Sequence, residues 1–158
     1  MKTALLLAAL LLSPARAQEK PAPPAVTIEA VKVEPAAPGP DTLCRLSVSL
    51  KSSGDRVASA FEIAVKVAGR EIPSSKGRLY LQPLEPGKTG EIRLPNFWST
   101  EAGRPAPQDG RLAVEVVLVG ASWMERESRD GAEVWRPLGP VPGLPVAKTL
   151  TLTLAKGR

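Results

Sequence analysis

The sequence contains no histidine. That absence removes Ser-His-Asp and Cys-His nucleophilic arrangements, and with them histidine-ligated zinc and cupredoxin-type copper. The single cysteine, Cys44, can form neither an internal disulfide nor a thiolate zinc site. An Asp-x-Asp-x-Asp-Gly calcium loop is missing, as is a Gly-rich phosphate loop. No catalytic residue, metal ligand or cofactor is therefore expected. Charges are interspersed, without a run of five or six of one sign, which argues against nucleic-acid binding and against a polybasic membrane patch. Asparagine occurs once, at Asn96, whereas proline occurs 17 times. Few amides and many loop prolines make a thermophile-like balance, and a GC-rich genome gives the same bias.

Long apolar runs are also lacking, except at the start. Ala4 to Leu12 is unbroken and spans nine residues. A membrane-spanning helix needs about 20. Lys2 precedes the run, Ser13-Pro14 breaks it, and Ala15-Arg16-Ala17 supplies small residues at a cleavage position. This is the order of a secretory signal peptide. The expectation is a leader over residues 1–17, cleavage before Gln18, and no membrane span afterwards. The mature chain then carries 19 basic and 16 acidic residues, a net charge of +3. Residues 18–25, Gln-Glu-Lys-Pro-Ala-Pro-Pro-Ala, read as a proline-rich spacer of extended conformation. Residues 26–158 form the expected domain.

Within that domain the apolar period is two. Val26 and Ile28 lead to Val31 and Val33 with a phase shift at Ala30, which a β-bulge explains. Cys44, Leu46, Val48 and Leu50 alternate with polar residues, and so do Phe61, Ile63, Val65 and Val67. Cys44 in that phase reads as a buried small side chain, in preference to a reactive or bridging thiol. Leu79 with Leu81, Ile92 with Leu94, Leu112 to Leu118, and Leu150 to Leu154 supply further strands. Turn signals separate them, and no segment makes a convincing amphipathic helix. The pattern predicts an all-β fold, a single immunoglobulin-like antiparallel sandwich of seven to eight short strands.

The stretch from Thr42 to Leu94 resembles the CARDB family, the immunoglobulin-like, cell-adhesion-related modules of bacterial surface and secreted proteins. The likeness lies in LSVSLKSSGDRVASAFEIAVKVAGREI followed by LQPLEPGKTGEIRL. Ser53-Gly54 stands at the family's Asn-Gly-like turn, and Leu84-Glu85-Pro86-Gly87 at its later turn. Both glycines are expected to supply positive φ there, with Pro86 presetting the second turn. The acidic, Asn-rich C-terminal signature of such modules is absent, and a long proline-rich segment splits the last two strands. These are turn motifs, so the resemblance implies a fold more than a function.

Chemistry could sit in few places. Glu125, Glu127, Asp130 and Glu133 cluster around Trp123 and Trp135, as a glycosidase site would require. Arg126, Arg129 and Arg136 interleave with them, which favours a salt-bridged, solvated segment. Ser75-Lys76 is no dyad if it lies on a strand, because neighbours there point to opposite faces. Two segments read as long loops, 95–110 and 120–147, and they hold all three tryptophans. Long loops in compact domains are commonly functional, and Trp and Arg are favoured at binding hot spots. The candidate binding residues are Trp98, Trp123, Arg126, Arg129, Trp135 and Arg136. The tryptophans either cap the open ends of the core or form a docking surface.

The function expected on these grounds is that of a non-catalytic, exported binding or scaffold module of a bacterial cell envelope, periplasmic or secreted. A protein partner leads and a polysaccharide is the second candidate. The alternatives are a carbohydrate hydrolase using the 125–133 acidic cluster, or a carbohydrate-binding module. Export itself is directly checkable: N-terminal sequencing of secreted material should begin at Gln18, and intact Met1 in a membrane fraction would contradict the leader.

Overall fold

A computed structural model describes residues 23–100 and 107–155. The leader, residues 18–22 of the spacer, residues 101–106 of the first long segment and the last three residues lie outside the described residues. Seven strands of eight residues or more account for most of the described residues: β1 (Val26–Glu34), β2 (Leu43–Ser52), β3 (Val57–Val67), β6 (Thr89–Trp98), β7 (Arg111–Arg129), β8 (Ala132–Pro140) and β9 (Val146–Thr153). Two short ones, β4 (Arg70–Glu71) and β5 (Leu79–Tyr80), lie between β3 and β6. Every pairing is antiparallel. One sheet has the order β1-β2-β6; the other runs β4-β3-β7, with β9 and then β8 along the far side of β7. The all-β sandwich expected from the alternating pattern is the fold observed. Among the described residues no helix is long and apolar enough to cross a membrane.

Alternation decides which face is dry. Cys44, Leu46, Val48 and Leu50 of β2 turn inward, against Phe61, Ile63 and Val65 of β3 and Leu112, Val114, Val116 and Leu118 of β7. Each such side chain contributes about 1.5–3 kcal/mol on burial. The bulge expected in β1 is present: the register slips between Ile28 and Ala30, leaving Glu29 unpaired. The slip has a use, because the carbonyl of Glu29 accepts a hydrogen bond from Lys148 Nζ at 2.5 Å. Lys148 lies on the inward side of β9, opposite Val116, so its ammonium closes the seam between the two sheet edges.

Three sequence expectations are corrected here. Pro95 does not open a loop. The chain from Pro95 to Trp98 continues β6, and Pro95 and Asn96 together oppose Arg45 in a bulge. An edge strand at a bulge is where a proline can sit without breaking a ladder. Ser75 lies not on a strand but in a single 3₁₀ turn, Pro73–Ser75. Its buried hydroxyl accepts from Val65 N–H at 3.1 Å and donates to Ile72 C=O at 2.7 Å, a structural role. Gly87 has φ 70°, as a turn glycine should, but Gly54 is not in the left-handed region. A Cβ at Gly54 would run into the indole of Trp123, with Cζ2 and Cζ3 only 3.1 Å away. Close approach, not turn conformation, requires that glycine.

Cys44 is fully buried in the core, and burial pushes its thiol pKa up. Both effects suppress the reactive thiolate. Native protein at pH 7 should resist a thiol reagent and react on unfolding; rapid labelling of the folded chain would contradict the placement.

Candidate functional site

The segment 120–147 is not a loop. β7 continues through it to Arg129, turns at Asp130-Gly131, and returns as β8. Both turn residues have positive φ, 52° and 78°, as a two-residue hairpin turn requires. The last contact of β3 with β7 is Val57 opposite Met124. Beyond it the two strands have only each other, and Ala132 to Leu138 are all exposed. The result is a two-stranded arm rising from one end of the sandwich. The sequence missed it because neither face of the arm is dry, so no apolar alternation marks it. The Asp-Gly dipeptide was the signal that could have found it.

An isolated hairpin is marginal in water. This one is anchored at its base and laced along its length. At the base, Ala58 and Trp123 are register partners, and the Trp123 ring packs against the core over Gly54. Along one face, the Arg136 guanidinium sits between two carboxylates, 2.8 Å from Glu125 and 2.6 Å from Glu127. The hydrogen bond that Arg136 donates to Glu125, then the charge of Glu127, raise the pKa of Arg136 further above its ordinary value, so it stays cationic at any working pH. Along the other face, Arg126 lies over the Trp135 ring at 5.2 Å and reaches Glu133 at 3.3 Å. Exposed cation–π contacts add about 0.5–1 kcal/mol and exposed ion pairs about 0–1 kcal/mol. Three carboxylates are thus occupied by two arginines, on opposite faces of a projecting arm.

The six candidate residues separate accordingly. Arg126, Trp135 and Arg136 come together on the arm, and Arg129 stands at its tip opposite Ala132. Trp123 is half-buried at the base, a core cap. Trp98 is elsewhere: it pairs with Leu43 at the opposite end of the sandwich and is 56% exposed. There it lines a groove of about 650 Å³ with Val67, Ile72, Pro73, Phe97 and Leu112. The tryptophans therefore form two separate sites. Sequence reasoning passed over Val134 and Leu138, which are exposed on β8 beside Trp135.

The arm carries three arginines against four acidic residues, so it offers no basic surface for phosphates. Among the described residues no group of three or more potential ligands could hold a metal ion. No family model matches the chain, and no curated protein matches it.

Trp123 and Trp135 should respond oppositely to truncation. Trp123→Ala is expected to cost about 2–4 kcal/mol, because a half-buried indole leaves the core edge open. Gly54→Ala should cost about 1–3 kcal/mol by displacing the same ring. Trp135→Ala should stay within about 1 kcal/mol. Denaturant melts of the three variants check the ranking; equal losses at both tryptophans would contradict it.

Proposed function

We propose that this chain is a non-catalytic binding or scaffold module exported to the bacterial cell envelope, periplasmic or secreted, and that a protein partner docks on the β7–β8 arm. The observation that carries this reading is the arm itself. β7 runs for 19 residues, and its last five, Glu125 to Arg129, extend past its last pairing with β3 and are held out in solvent with an Arg-stacked indole on one face. A cross-braced hairpin presents its side chains already ordered, which lowers the entropy lost on docking. Trp and Arg are also the residue types that dominate binding energy. The leader-like start favours export, and the CARDB-like turn at Leu84–Gly87 is in keeping with the sandwich modules of bacterial surface and secreted proteins.

The hydrolase alternative draws less support. A glycosidase needs two carboxylates flanking a bound sugar. Glu125 and Glu127 share a face and both bind Arg136, while Glu133 lies on the other face with Arg126. The polysaccharide-binding alternative would require a row of exposed rings, and Trp135 stands alone on the arm.

The test uses the mature chain as bait in an envelope extract, with chemical cross-linking. Trp135→Ala combined with Arg136→Ala should cut partner capture by about tenfold or more, with the melting temperature nearly unchanged. Trp98→Ala should retain capture. Undiminished capture by the double variant, or loss through Trp98→Ala, would overturn the assignment to the arm.

A further inference from the structure

The outer edge of β8 is open and partly apolar. Eight large hydrophobic side chains stand exposed among the described residues, and three of them, Val134, Trp135 and Leu138, belong to this one strand. β8 is the terminal strand of its sheet, with β7 on one side and no described strand on the other. Exposed apolar edge strands are templates for strand pairing.

The turn fixes which main-chain groups are free. A two-residue turn of this kind closes on a pair that exchanges both backbone hydrogen bonds, and the pairs alternate from there. Arg129–Ala132, Glu127–Val134 and Glu125–Arg136 therefore bond within the arm. Glu133, Trp135 and Pro137 turn their main-chain groups outward. Pro137 has no N–H to leave unsatisfied, which suits an outward position. Toward the base, Pro137 and Pro140 blunt the edge; from Ala132 to Arg136 nothing does.

The geometry points to a second copy of this chain as the occupant: two β8 strands pair antiparallel about a two-fold axis through Trp135. The edge is self-complementary. With the axis at Trp135, the two indoles become direct cross-strand neighbours, each backed by its own Arg126. Glu133 N–H then meets the carbonyl of Pro137 in the second copy, so the proline costs little. On the other face the row reads Glu127, Val134, then Arg136 and Glu125 of the second copy, alternating acid, apolar, base and acid across the junction. An axis at Glu133 would oppose two like charges, which is unfavourable. The contact is isologous and closes as a dimer. Five residues of edge on each side make a small interface, with a dissociation constant on the order of 10–100 μM.

This inference rests on reading the arm as the docking element, and its failure is separable from that reading. A monomer whose arm still captures an envelope protein would end the dimer and leave the proposed function standing. The experiment is sedimentation of the mature chain across a concentration series. The wild type should pass from monomer to dimer. Glu133→Pro removes an outward N–H and leaves the backbone bonds inside the arm in place, and it should remain monomeric; Glu133→Ala, which loses only the exposed ion pair to Arg126, should still dimerise. Ser128→Pro, at the matching outward position on the β7 edge, should still dimerise. Trp135→Ala, which leaves the backbone unaltered, should raise the dissociation constant by at least about tenfold. A wild type that stays monomeric throughout, a dimer lost in Ser128→Pro but kept in Glu133→Pro, or a dimer indifferent to Trp135→Ala would each overturn the proposal.

Discussion

Everything in this structure depends on β7 serving two environments. Its first half lies between β3 and β9 and supplies Leu112, Val114, Val116 and Leu118 to the core. Its last five residues, Glu125 to Arg129, have one neighbour and no dry face. The change occurs at Trp123 and Met124, where β3 ends and the β8 register slips. Trp123 is the anchor of that arrangement. Its ring lies over Gly54 in the turn between β2 and β3, so the base of the arm is pinned to both sheets. A strand that left the core without such an anchor would have only surface ion pairs to hold its direction, and those contribute little.

The same constraint explains what could be read from the sequence. Period-two alternation is a record of one dry face and one wet face. It located β1, β2, β3 and the first part of β7, and it placed the β1 bulge beside Ala30, because each has a core to face. It was silent on the arm, where residues 124–138 are wet on both faces and carry no period. The composition there, rich in Arg and Glu with an Asp-Gly pair and one Pro, resembles that of a loop. Pro95 misled for a related reason. Proline marks a breaker in a central strand, but β6 is an edge strand and absorbs it in a bulge. Gly54 was correctly singled out, for the wrong cause: its partner is a tryptophan 69 residues away in the chain, and sequence-local turn logic cannot see it.

The candidate site was legible in its residues and not in its form. Arg126, Trp135 and Arg136 are adjacent in space because hairpin register places Arg126 opposite Trp135 and Glu125 opposite Arg136. Once the hairpin is known, the acidic cluster around the tryptophans becomes bracing for the arginines. The segregation of Trp98 to the far end follows from the same topology, since β6 ends where β2 begins. Among the described residues the arm is a hairpin whose two outer edges, on β7 beyond Met124 and on β8, have no strand partner.

The central claim is that residues 124–138 form an ordered hairpin with a free outer edge. Amide hydrogen exchange read residue by residue on dilute protein tests it most directly. An ordered hairpin gives an alternating pattern: slow exchange at Glu125, Glu127, Val134 and Arg136, whose amides bond across the arm, and fast exchange at Arg126, Ser128, Glu133 and Trp135, whose amides face out. Uniformly fast exchange across the segment would mean a loop, and would contradict the account.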